Sequence, residues 1–105
     1  MRDSARGQTA IVALTGELDI ATAPRLEQEV GKLDRGELAQ IVLDFRNLAF
    51  IDSTGLRMVL GIAESATVSG TRLVLLRGSE AVQRVLALTG ADRELLIVDE
   101  LEQGT

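Results

Sequence analysis

The chain reads as an α/β domain built on a mainly parallel β-sheet, and three observations lead there. Four short runs rich in Val, Ile and Leu, at 10–14 (AIVAL), 41–45 (IVLDF), 73–76 (LVLL) and 95–98 (LLIV), have the length and composition of buried strands. Between them lie three stretches whose apolar residues recur at helical spacing. Glycine, serine and threonine fall at the joints. Strands that alternate with helices of this length imply parallel pairing with right-handed crossovers.

Taken in order, the strand at 10–14 precedes a helix carrying Leu26, Val30 and Leu33 at i, i+4 and i+7. Thr22 is placed to cap that helix, and Pro24 suits its opening turn, where backbone N–H groups have no intrahelical acceptor. Gly36 is the expected break before the strand at 41–45. The second helix shows an apolar stripe of Leu56, Val59, Leu60 and Ala63, with either Asp52 or Ser53 as its N-cap, and ends before Gly70. After the strand at 73–76, Ser79 caps a third helix with Val82, Val85, Leu86 and Thr89 along one side, and Gly90 takes the left-handed position that ends it. The last strand is 95–98. Residues 1–7 are polar, read as flexible or as the remnant of a first strand, and 100–105 as a short tail.

A chain of 105 residues and 11.2 kDa is one small domain with one core. Hydrophobic residues at 46% and charged residues at 26%, with one Pro, describe a globular sequence. Two Phe and no Trp or Tyr leave few platforms for base stacking, and a net charge of -5 disfavours a general grip on nucleic acid or anionic lipid. Without Cys there is no thiol catalysis, and without His the usual general base and commonest metal ligand are missing. No segment approaches the roughly 20 apolar residues of a membrane helix. The expectation is a cytoplasmic domain that is not an enzyme, holds no metal or other cofactor, and engages neither nucleic acid nor membrane.

In an open α/β sheet, sites form beyond the carboxyl ends of strands. That rule singles out the segments after Leu14 and Phe45, where the polar residues are Glu17, Asp19, Thr22, Asp52, Ser53 and Thr54. In the stretch FIDSTGL, a cap at Asp52 or Ser53 puts Thr54 in the first helical turn. There, a phosphoryl group would add about −1.5 to −2 charges beside Asp52 and Asp19. Gly55 permits a tight helix start, and Arg57 and Met58 follow as candidate protein contacts. The G-x-S-x-G nucleophile elbow and the standard nucleotide loops are absent. Glu17 and Asp19 admit an acid–base or hard-metal reading, but nothing in the sequence supplies further converging ligands. Asp44, inside an apolar strand, needs a partner such as Arg46.

The segments GELDIATAPRL (16–26), LDFRNLAFIDSTGLRMVL (43–60) and VQRVLALTGADRELLIVD (82–99) together resemble the STAS domain family, in its anti-sigma factor antagonist branch. The resemblance covers nearly the whole chain, 1–105 as one STAS domain, and implies a mainly parallel sheet with helices packed chiefly on one side. It implies partner switching in transcription regulation, of the kind used in stress responses. The unphosphorylated domain binds an anti-sigma factor serine/threonine kinase and frees a sigma factor; the kinase inactivates it by phosphorylation, and a metal-dependent phosphatase reverses this. Carried onto this chain, the phosphoacceptor is Thr54, with Ser53 the second choice. The contact surface comprises Glu17, Asp19 and Thr22 from one segment and Asp52, Ser53, Thr54, Gly55, Arg57 and Met58 from the other. The chain departs from the family pattern in having Thr where the best-known acceptor is Ser. Residues 1–7 are too polar for the family's first edge strand, and 100–105 leave little for its last helix. An uncovered edge would favour a homodimer. The same fold also serves as a signalling scaffold with a non-kinase partner, or as a small-ligand or lipid-transport accessory domain.

Overall fold

Within the sheet, successive side chains alternate between its two faces as the pleat requires. In β2 (Thr9–Leu18), Ala10, Val12 and Leu14 are buried between half-buried Ile11 and Ala13. In β3 (Gln40–Ile51), Ile41, Leu43 and Phe45 join the same core, whereas Val42 faces away from it. The computed structural model describes residues 1–6, 8–33 and 38–101, with Arg2–Arg6 as backbone. Around β2 and β3 it places β1 (Arg2–Arg6), α1 (Ala23–Gly31), α2 (Ser53–Val68), β4 (Arg72–Leu76), α3 (Glu80–Thr89), a 3-10 turn at Ala91–Arg93, and β5 (Leu96–Val98). The sheet order is β1-β2-β3-β4-β5; β1 runs antiparallel to β2, and the other pairings are parallel.

The principal core joins the inner face of the sheet to all three helices, through Leu26 and Val30 of α1, Leu56, Val59, Ile62 and Ala66 of α2, and Val82 and Leu86 of α3. On the opposite face, a smaller cluster of Val42, Val74 and Leu76 is covered by Ile11, Val98 and Leu101, and no helix contributes to it among the described residues. This is the one-sided packing expected from the sequence. Among the described residues, no helix is long and apolar enough to cross a membrane.

Several local expectations need correction. Arg2–Arg6 does form an edge strand, in register from Arg2 opposite Ala13 to Arg6 opposite Thr9. An edge strand requires backbone pairing along one side only, so polar composition does not prevent it. β2 and β3 extend beyond their apolar runs, to Leu18 and Ile51, because backbone pairing continues through register shifts at Ala13/Thr15 and Gly16/Glu17. Gly16, at φ 77°, adopts the left-handed conformation that this irregularity requires. Glu17 therefore belongs to the end of β2. Thr22 occupies the N-cap position of α1, but its side chain makes no cap bond and turns back into the preceding loop. In α2 the buried stripe is Gly55, Leu56, Val59, Ile62 and Ala66; Leu60 and Ala63 are only half-buried at its margin. In α3, Val85 is half-buried and Thr89 is exposed, its hydroxyl donating to the Val85 carbonyl at 2.8 Å. The expected break at Gly36 and residues 102–105 of the tail lie outside the described residues.

Other joints match. Pro24 lies in the first turn of α1, Ser79 Oγ accepts from the Val82 N–H at 3.3 Å, and Gly90 ends α3 at φ 80°. Asp44 is paired with Arg46, whose Nη2 and Nε donate to its two carboxylate oxygens at 2.7 and 2.9 Å. The Arg46 side-chain hydrogen bonds hold the Asp44 carboxyl below its ordinary pKa, outweighing the opposing effect of burial.

Candidate functional site

Parallel pairing brings the ends of β2 and β3 together, Glu17 opposite Phe50 and Leu18 opposite Ile51. The segments that follow are therefore neighbours at the carboxyl edge of the sheet. Asp52 joins them. Its backbone N–H donates to the Leu18 carbonyl at 3.1 Å. Its Oδ1 accepts from the Gly55 N–H at 2.8 Å, which makes it the N-cap of α2, and its Oδ2 accepts from the Ile20 N–H at 3.3 Å. One carboxylate thus starts the helix and ties down the adjacent loop.

That loop is organised by Asp19 and Thr22. Asp19 Oδ1 accepts from the N–H groups of Ala21 and Thr22 at 3.0 and 3.1 Å, an Asx-type turn. The Thr22 hydroxyl accepts from the Asp19 N–H at 2.9 Å and donates to the Glu17 carbonyl at 2.8 Å. Both Asp19 and Asp52 are thus engaged with backbone donors, an arrangement that shapes a surface.

Gly55 has a steric role. A Cβ at this position would overlap the Leu18 carbonyl oxygen and approach Leu18 Cγ to 2.9 Å, so only glycine allows α2 to begin this close to β2. Gly55 is buried. Ser53 is exposed in the first turn of α2, and Thr54 beside it is half-buried. Thr54 lines a groove of about 450 Å³ between α1 and α2, whose other walls include Glu27, Val30, Arg57, Met58 and Ile62. Arg57 is exposed and Met58 half-buried; Glu17 is exposed, with its carbonyl held by Thr22.

Two residues that the sequence reading passed over complete the surface. Ile20 is 74% exposed and Phe50 is 49% exposed, in a chain whose other Phe is fully buried. Ile20 is tied to Asp52 through its N–H, and Phe50 lies opposite Glu17 at the strand end. Exposed apolar side chains beside a polar, hydrogen-bonded rim are characteristic of a protein-contact surface. The available sequence signal was indirect: an Ile inside a turn between the polar turn-formers Asp19 and Thr22 has no strand face to occupy.

The family model described as the STAS domain matches residues 3–104. This chain belongs to the STAS domain family. The STAS domain is similar to the anti-sigma-B factor antagonist of Staphylococcus aureus, with 29% identity over 89 residues that cover 85% of this chain and 82% of the relative. Among solved structures, a candidate anti-sigma factor antagonist from Thermotoga maritima superposes with a TM-score of 0.86 at 29% identity, covering 95% of this STAS domain and 86% of that chain. The Bacillus cell fate determinant SpoIIAA in its phosphorylated form shares the fold, with a TM-score of 0.71 at 24% identity over 94% and 91% of the two chains.

Proposed function

We propose that this STAS domain is an anti-sigma factor antagonist whose docking surface is the joined β2–α1 loop and α2 start, and whose off-switch is phosphorylation of Thr54. The observation that carries the reading is the double engagement of Asp52, which fixes the hydroxyl pair Ser53–Thr54 at a helix start and binds the loop bearing exposed Ile20 to it. The names of the Staphylococcus and Thermotoga relatives support the same role.

In the unphosphorylated domain, Ile20 and Phe50 supply apolar contact area, while Glu17, Ser53 and Arg57 supply the polar rim for an anti-sigma factor kinase. In the kinase reaction the Thr54 hydroxyl oxygen bonds to the γ-phosphorus of ATP, ADP leaves, and the hydroxyl proton passes to a kinase base. The STAS domain is the substrate in this reaction and needs no nucleotide loop. The added dianion sits within the docking surface, so it prevents docking by charge, bulk and desolvation while leaving the fold in place. Removal by a phosphatase restores the docking form. Ser53, exposed one position earlier, is the second choice of acceptor.

The test is ATP-dependent phosphorylation by candidate kinases of the same genome, followed by intact-mass and peptide mass spectrometry on wild type and Thr54→Ala. One phosphate mapped to Thr54 and absent from the variant supports the switch. Undiminished incorporation into Thr54→Ala moves the acceptor to another hydroxyl, and no incorporation from any active kinase favours a phosphorylation-independent scaffold.

A further inference from the structure

The groove between α1 and α2 contains more than the acceptor. Arg57 lies three residues after Thr54 on α2 and lines the same groove, while Glu27 of α1 lines it from the facing helix. At this spacing the two Cβ atoms are about 5–6 Å apart, within reach of a long guanidinium side chain. Arg57 also lines a second hollow on the other side of α2, together with Glu64 and Glu94. It is exposed and takes part in none of the ion pairs found among the described residues. This cation therefore stands between two hollows, with Glu27 facing one and Glu64 and Glu94 facing the other.

We propose that Arg57 is a built-in receiver for the phosphoryl group on Thr54, so that phosphorylation both adds a dianion and withdraws the Arg57 charge from the surface offered to the partner. The inference rests on Thr54 being the acceptor. A phosphoryl group at the groove mouth outcompetes the single charges of Glu64 and Glu94, because it carries nearly two charges and three acceptor oxygens that match the guanidinium fork. Glu27, on the facing wall, opposes the added charge. One covalent event then alters two contact groups, and the guanidinium exposed at the rim turns inward over the groove.

The experiment uses full-length protein with phosphothreonine installed at position 54 during synthesis, so that it depends on no kinase. The ³¹P resonance is titrated with pH at low ionic strength in the parent protein and in Arg57→Gln, Arg57→Lys and Glu27→Gln. Arg57→Gln should raise the midpoint of the second phosphate ionisation by about half a pH unit, the size of an exposed ion pair. Arg57→Lys should recover part of that shift, and Glu27→Gln should move the midpoint slightly down. The shifts should shrink in molar salt. All variants share the same helix start, so its effect on the phosphate cancels in the comparison. An Arg57→Gln midpoint within about 0.1 unit of the parent, well below the value of one exposed pair, overturns the receiver role. That result leaves the kinase assay on Thr54 untouched, and a negative kinase assay leaves this titration readable.

Discussion

Helices α2 and α3 begin in nearly the same way and end up with different roles. Each follows a parallel strand and is capped by a side-chain oxygen, Asp52 Oδ1 in one case and Ser79 Oγ in the other. Each start includes a glycine pressed against a neighbouring strand, Gly55 on Leu18 and Gly78 on Phe45. The difference is in what closes the start. At α3 the closure is local: the Gln83 side chain accepts from the Gly78 N–H at 2.8 Å. At α2 the second oxygen of Asp52 reaches out to Ile20, and the apolar side chains of Ile20 and Phe50 stand exposed beside it. Under the proposed function, the α2 start serves for docking because its cap also organises a neighbouring loop.

The largest expected effect tests the close approach itself. Gly55→Ala forces a methyl group into the Leu18 carbonyl and side chain, and should cost about 3 kcal/mol by urea denaturation. Gly78→Ala meets the Phe45 carbonyl oxygen at 2.8 Å and should cost less, about 1–2 kcal/mol. The reverse order would mean that α2 can retreat from β2 more easily than the packing implies. Next come the caps. Asp52→Ala removes a cap and a loop tie together and should lose about 2 kcal/mol, against about 1 kcal/mol for Ser79→Ala. Only the first should weaken capture of the anti-sigma factor; equal weakening by both would remove the distinction between the two starts. The exposed apolar pair separates binding from stability. Ile20→Ala and Phe50→Ala should each weaken partner binding by about tenfold, as central apolar contacts do, while shifting stability by about 0.5 kcal/mol or less. Unchanged affinity in both would move the docking surface elsewhere.

The contrast also marks where sequence is readable. The strand interiors were legible because Val, Ile and Leu in short runs have few alternatives in so small a chain. The far ends of β2 and β3 were not, because Thr15–Gly16–Glu17 and Arg46–Asn47 interrupt the apolar pattern while backbone pairing continues past them. In α2, stripes through Leu60 and Ala63 or through Ile62 and Ala66 both fit helical spacing; which one turns inward is decided by how the helix lies on the sheet. Ile62→Ala should therefore cost more than Leu60→Ala. The Asp52–Gly55 segment was legible as a motif, with Asp52 or Ser53 as its cap. The choice of Asp52, the bond to Ile20 and the exposure of Phe50 are tertiary facts that no local pattern encodes.

The opposite face of β3 provides the control for all of this, and the smallest effect. Asp44 is buried there, and Arg46 holds its carboxyl below its ordinary value near 3.8. Because the folded value is the lower one, the unfolded chain binds this proton first as pH falls, so stability declines between the unfolded value and the depressed folded one and is fully present above both. Asp44→Asn should flatten that acid limb and reduce neutral stability by about 1 kcal/mol or less, since Arg46 is largely exposed. Affinity for the anti-sigma factor should be unchanged near neutral pH, because Asp44 lies on the face opposite α1, α2 and α3 and makes none of the bonds that join Asp52 to the β2–α1 loop. A fall in affinity matching that of Asp52→Ala would mean that docking senses the strand as a whole, and the local account of the α2 start would have to give way to one in which both faces of β3 report to the surface.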